Sequence, residues 1–306
     1  MEFPLWMSDG EQIKTRKLNI TTIMEFVLLV FRYSQSPVDL FGIFSVIYLT
    51  ILMCNSVIIL ITRIDSTLHI PMYFFLNNFS FLEICYVTVT IPRMLMDILT
   101  QKGHISFIAC ATQMCFVLMF GGSECLLLTV MAYDCYVAIC NPLHYCLVVP
   151  VIIGQTWQIF SLPFCGSNTI NHFFCDLPPI FKLACGDTFV NEIAVYAVAV
   201  VFIMVPFLLI GVSYGHISSN ILKLSSARGR AKAFSTCSSH LTVVVLFYGT
   251  ASITYLQPKP NQAEGTGKLI SLFYTVLIPT LNPIIYTLRN KDIMVALRKL
   301  LTKLLT

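Results

Sequence analysis

The sequence predicts an all-α membrane protein: a bundle of seven transmembrane helices followed by a short amphipathic helix. Three observations carry this. Of 306 residues, 57% are hydrophobic and only 11% charged, under half the charge usual in a soluble domain. The apolar residues come in long runs, each near the ~20 residues a helix needs to cross ~30 Å of hydrocarbon. Apart from Arg93, basic residues gather before, between and after the runs, not inside them. A soluble chain of this composition would set far more apolar surface against water than such proteins carry.

Residues 1–37 read as an N-terminal tail. They lack the basic, apolar, small-residue order of a cleaved signal peptide, and their apolar run from Phe26 to Phe31 is too short to span. The transmembrane helical domain is expected over residues 38–290. Its first span, Leu40–Thr62, holds no Asp, Glu, Lys or Arg. The second, Ile70–Leu95, is broken only by Glu83 and Arg93, and the third, Ile105–Tyr133, only by Glu124. The stretches Ile193–Leu222, Ala233–Leu256 and Leu269–Leu288 are uncharged apart from His216 and His240.

The fourth span is the weak one. Between Tyr145 and Phe164 lie Pro150, Gly154, Gln155 and Gln158, with barely enough length for a crossing. It reads as marginal or truncated. Charge distribution nevertheless demands it. Lys223, Arg228, Arg230 and Lys232 form one basic loop, and Arg289, Lys291, Arg298, Lys299 and Lys303 crowd the C-terminus. Short basic loops stay cytoplasmic. Asn19-Ile20-Thr21 is a glycosylation sequon, useful only on an outside N-terminus. Both hold only if the chain crosses between residues 143 and 164. Residues 291–306 then alternate basic with apolar side chains, as an amphipathic helix on the cytoplasmic membrane surface does.

Two carboxylates, Glu83 and Glu124, lie within apolar spans. An ionised acid at mid-membrane costs about 2.5–3.5 kcal/mol on insertion scales, so both should face the protein interior. Asn55 and Asn282 fall at similar depth in the first and seventh spans. Four such groups suit a sodium ion or a shared proton. The alternative is a pair of neutral, hydrogen-bonded acids that hold helices together. Of twelve cysteines, Cys110 starts the third span, and Cys165, Cys175 and Cys185 share one outer loop. An oxidising lumen favours disulfides among them, and zinc with His172 is the alternative. Cys54, Cys85, Cys115, Cys125, Cys140 and Cys237 read as small packing residues. Pro206, Pro279 and Pro283 sit inside spans, where they free backbone carbonyls and kink helices.

Other classes are disfavoured. The net charge of +4 is mild, and no basic run interleaved with aromatics points to nucleic acid. No nucleophile–base or metal-ligand cluster marks an enzyme. No paired broken helices mark a transporter.

Four motifs are more specific: Pro71-Met-Tyr-Phe-Phe-Leu-Asn-Asn78, Met131-Ala-Tyr-Asp-Cys-Tyr-Val-Ala-Ile-Cys-Asn-Pro-Leu-His-Tyr145, Lys232-Ala-Phe-Ser-Thr-Cys-Ser-Ser-His240 and Pro279-Thr-Leu-Asn-Pro-Ile-Ile-Tyr-Thr-Leu-Arg-Asn290. In this order, over roughly residues 19–302, they resemble the olfactory receptor family of rhodopsin-like G-protein-coupled receptors. The resemblance implies a plasma-membrane odorant receptor, N-terminus outside, that acts through a stimulatory G protein to raise cyclic AMP. It implies disulfides from Cys110 to Cys175 and from Cys165 to Cys185, and it matches Glu83 and Glu124 to a buried acidic pair. It places an odorant pocket between the third, fifth, sixth and seventh helices, lined by Met114, Val117, Leu118, Gly121, Gly122, Tyr248, Ser252, Tyr255 and Tyr274. An apolar wall with a few hydroxyls suits small, volatile ligands.

Two departures stand out. Where the family has Asp-Arg-Tyr, contacting the G protein, this chain has Asp134-Cys135-Tyr136. Between Tyr145 and Leu162 about one helix length is missing against the family pattern. The competing expectation is therefore a non-signalling relic, retained in the endoplasmic reticulum.

Overall fold

The computed structural model describes residues 24–29, 36–69, 71–132, 143–164, 167–185, 187–223, 226–256 and 264–305. They form the seven-helix bundle. Helix α1 (Pro37–Ile64) starts with Pro37 in its first turn, where the missing N–H costs nothing, and ends near Arg63. At 28 residues it exceeds the bilayer core, as do α2 (Pro71–Thr100) and α3 (Phe107–Ala132).

The fourth helix, α4 (Leu143–Phe160), exists but is short, at 18 residues. Its length of about 27 Å falls just under the hydrocarbon thickness. Val149, Ile153 and Trp157 form an outward stripe at four-residue spacing, while Ile152, Gln155, Thr156 and Ile159 are buried. That pattern makes a usable bundle helix from a polar-looking sequence.

After the five-residue helix α5 (Leu177–Phe181), the fifth span runs through α6 (Phe189–Ala199), a π-helical turn at Val200–Met204 and α7 (Val205–Lys223). The sixth is α8 (Ala227–Tyr255), with its apolar half at His240–Tyr255. The seventh comprises α9 (Glu264–Leu272), a second π turn at Phe273–Leu277 and α10 (Ile278–Arg289). Each π turn lies just before a proline, Pro206 or Pro279, where the ladder must already open for want of an N–H. Among the described residues, five helical spans are long and apolar enough to cross a membrane by themselves.

The burial pattern is the reverse of a soluble protein's. Leu49, Met53, Val46, Phe207 and Leu208 are exposed, while Asn55, Glu83, Gln113, Glu124 and Asn282 are buried. Lipid rewards this arrangement, since apolar side chains need no shelter and polar ones do.

One end of the bundle carries a three-stranded sheet, ordered β2-β1-β3. Strand β1 (Glu25–Leu28) pairs antiparallel with β2 (His104–Ser106) and parallel with β3 (Thr169–Ile170). The apolar run at 26–31, too short to span, thus serves a different purpose. Phe26 is fully buried and packs on Phe107 and Phe164 with ring centroids 5.9 and 5.8 Å away. Gly103 has φ +62°, and a Cβ there would lie 2.1 Å from the Leu28 carbonyl oxygen, so only glycine fits.

At the opposite end, α11 (Lys291–Leu305) is the amphipathic helix expected from the sequence. Asn290 caps it, its Oδ1 accepting from Asp292 N at 3.0 Å and from the Tyr73 hydroxyl at 3.1 Å. Ile293 and Ala296 are buried against the bundle, and Lys299 reaches Asp65 at 3.6 Å.

Candidate functional site

Beneath the sheet-bearing end, between the helices, lies a cavity of about 120 Å³. Gly121 and Gly122 on α3 make room for it, and a Cβ built on Gly121 meets nothing within 4 Å. Val117 and Leu118 on α3, Phe202 of the first π turn and Phe247 and Ala251 on α8 supply apolar walls. Tyr255 and Tyr274 stand at the roof with Leu177 of α5, and Glu83 and Glu124 belong to the lining as well.

The roof is a single run of sequence, Cys175-Asp176-Leu177, fastened at three points. Cys175 is joined to Cys110 of α3 by a disulfide with Cα atoms 5.5 Å apart. Its backbone N–H donates to Gln113 Oε1 at 3.1 Å. Asp176, 1% exposed, accepts from the Tyr255 hydroxyl at 3.1 Å, the Tyr274 hydroxyl at 2.5 Å and Leu177 N at 2.8 Å. One carboxylate thereby caps α5 and latches the loop to the sixth and seventh spans.

Beside this latch sits His172, 4% exposed, stacked on Phe173 at 4.6 Å with Nδ1 3.1 Å from the Phe174 carbonyl oxygen. Burial holds its pKa below the ordinary 6.5, against the upward pull of the Asp176 carboxylate and the Phe174 carbonyl. With Cys175 in a disulfide, zinc binding by His172 and these cysteines loses its thiolate. Cys185 is also disulfide-bonded, and its expected partner Cys165 lies outside the described residues. Cys54, Cys85, Cys115, Cys125 and Cys237 are not disulfide-bonded.

Deeper in the cavity, Asn282 of α10 donates its side-chain amide to Glu83 Oε1. Glu124, 3% exposed, lines the same space. Glu83 Oε2, Glu124 Oε1, Asn282 Oδ1 and Thr275 Oγ1 are buried without a hydrogen-bond partner. The unpartnered carboxylate and amide oxygens are hard ligands of the kind a cation such as sodium takes, and a proton on one acid would also satisfy them. Asn55 is buried as expected but spends its amide on the Ile51 carbonyl of its own helix at 3.1 Å.

Of the expected pocket residues, Val117, Leu118, Gly121, Gly122, Tyr255 and Tyr274 line the cavity. Met114, Tyr248 and Ser252 are not in its wall. Met114 is fully buried in the packing below the sheet. The Tyr248 hydroxyl is drawn away, donating to the Cys125 carbonyl at 2.7 Å and lying 3.2 Å from Thr129 Oγ1. Sequence reading missed Gln155, Asp176 and the α6 side chains Val195 and Val198. A polar residue inside an apolar run was the available signal for Gln155, because such a residue must face inward. Asn19, Asp134, Cys135 and Tyr136 lie outside the described residues.

A profile of the family described as Olfactory receptor matches residues 44–304. The human protein Olfactory receptor 10AG1 is 71% identical over 303 aligned positions, covering 92% of this chain and 100% of that one. That alignment is longer than the residues this chain brings to it, so part of the relative has no counterpart here. Human Olfactory receptor 10A7 is 50% identical, covering 93% of this chain and 96% of its own. Among solved structures, squid rhodopsin superposes with a TM-score of 0.62 at 15% identity, covering 87% of this chain and 85% of that one.

Proposed function

The chain belongs to the olfactory receptor family, whose members are G-protein-coupled receptors and not enzymes, and from that premise we propose that it binds small volatile odorants in the cavity under the Asp176 latch. The observation that carries this reading is the cavity itself: about 120 Å³ of largely apolar space touched by nearly every span. An apolar cavity of about 150 Å³ holds benzene, so ligands of a comparable scale fit. The latch joins the loop to the sixth and seventh spans. A ligand that displaces Tyr255 or Tyr274 therefore alters how those spans sit relative to α3. The π turns beside Pro206 and Pro279 supply places where the spans can flex.

In this reading the partner is the stimulatory heterotrimeric G protein, with cyclic AMP as output. The sheet-bearing end and residues 1–37 lie outside the plasma membrane, with Asn19 glycosylated. The basic ends of α7 and α8 where they adjoin, and α11, lie in the cytosol, in accord with the inside preference of short basic segments. A sodium ion sits at Glu83, Glu124 and Asn282, whose unpartnered oxygens support it.

A second reading, a non-signalling relic held in the endoplasmic reticulum, rests on Cys135 and on the 18-residue α4. A thiol can neither pair with Asp134 as a guanidinium does nor reach a G-protein backbone with paired donors. Surface labelling of tagged full-length chain, with cyclic AMP measured against an odorant panel, separates the two. Surface arrival with ligand-dependent cyclic AMP supports the receptor. Surface arrival with a response only in Cys135→Arg puts the defect in coupling. Intracellular retention of both chains, even with trafficking helpers, overturns the receptor reading.

A further inference from the structure

We propose that Gln155 is a specificity-determining residue of the cavity, selecting small neutral ligands that carry one hydrogen-bond-accepting oxygen, such as a ketone, aldehyde or ester. The inference rests on the odorant-cavity reading and names the ligand class for it.

Most polar groups of the cavity wall are already engaged. Tyr255 and Tyr274 donate their hydroxyls to Asp176. Thr250 donates to the Leu246 carbonyl of its own helix at 2.8 Å. Glu83 accepts from Asn282, and its second oxygen and Glu124 Oε1 belong to the acidic pair. Gln155 differs. It lines the cavity, is 8% exposed, and its Nε2 is buried with no acceptor among the described residues. A buried amide donor left unmade carries a desolvation penalty that a ligand oxygen removes on binding.

Gln155 is also held in place. One turn further along α4, Gln158 Nε2 donates to Asn191 Oδ1 of α6 at 2.7 Å. Asn191 and Val195 are one turn apart on α6, and Val195 lines the cavity with Gln155 and Ile152. The interhelical bond therefore sets the face of α4 that meets the cavity. In lipid, where helices gain nothing hydrophobic by meeting, one such bond matters to that register. The two glutamines that make the fourth span look poor thus have separate tasks: Gln158 docks the helix, and Gln155 presents an unpartnered N–H to a largely apolar chamber. A site offering one donor binds an acceptor-bearing ligand better than its hydrocarbon isostere.

The test uses the full-length chain purified into phosphatidylcholine nanodiscs and two probes of one shape, 2-heptanone and 2-methyl-1-heptene. Affinities come from ligand-dependent shifts of the thermal unfolding midpoint. In Gln155→Leu the ketone-to-alkene affinity ratio should fall about tenfold from the wild-type ratio, the worth of one hydrogen bond, with alkene affinity kept. Gln155→Met serves as a second apolar variant if leucine prevents folding. A ratio unchanged in the variant overturns the inference while leaving the cavity reading intact. Binding of neither probe, nor of any odorant tried, overturns the cavity reading and this inference with it.

Discussion

Tyr274 of the seventh span gives its hydroxyl to Asp176 Oδ2 at 2.5 Å, joining residues 98 apart in sequence. The same carboxylate takes the Tyr255 hydroxyl and the first N–H of α5. Asp176→Ala strips three buried donors of their acceptor at once. At about 1–3 kcal/mol for each orphaned group, the roof should lose several kcal/mol. The thermal midpoint of the purified chain should drop by far more than in Tyr274→Phe, which removes a donor and leaves the acceptor two others. Equal drops would show that Asp176 is not the hub.

The acidic pair predicts a cation effect. Replacing choline by sodium chloride at constant ionic strength should raise the thermal midpoint of the wild type. Glu83→Gln and Glu124→Gln should each abolish that rise. A wild type indifferent to sodium would favour the other expectation, two neutral acids bridging helices.

The disulfide from Cys110 to Cys175 closes a loop of 65 residues. On the chain-entropy account its loss costs about 4 kcal/mol. Cys110→Ser should cut surface delivery and lower the unfolding midpoint, and adding reductant to the wild type should mimic it. Cys54→Ser, at a thiol outside any disulfide, should change neither measurement appreciably.

His172 sets a pH dependence of known sign. Its folded pKa lies below 6.5, so below that value the unfolded chain binds a proton the folded chain refuses. Stability therefore falls as pH drops beneath about 6.5 and is complete above it. Between pH 7.5 and 5.5 the wild-type unfolding midpoint should fall more steeply than that of His172→Gln. Parallel slopes would remove His172 from the account.

The bundle was legible because bilayer length and charge exclusion leave a coarse imprint, readable without any tertiary contact. Glu83, Glu124 and Asn282 were legible on the same ground, since lipid forces such groups inward. Tyr248 was not, because only tertiary proximity to the Cys125 carbonyl decides that its hydroxyl leaves the cavity. Nor was Asp176, whose role depends on tyrosines brought over from two other spans. The fourth helix was half legible. Its composition argued against a crossing, yet its buried and exposed positions sort cleanly once α3 and α6 flank it. The strand at Glu25–Leu28 was invisible to a search for spans, since six apolar residues are a failed helix until a sheet partner is known.

That strand has a consequence for the order in which the molecule is completed. Both of its partners lie far downstream, β2 at His104–Ser106 and β3 at Thr169–Ile170. As the central strand it is synthesised first and can be finished only last. Phe26 can meet Phe107 early, but it lacks Phe164 until more than half the polypeptide has left the ribosome. The cap is thus a clasp that shuts behind the fourth crossing, and a chain whose α4 failed to insert would leave the β3-facing edge of its amino-terminal strand unpaired.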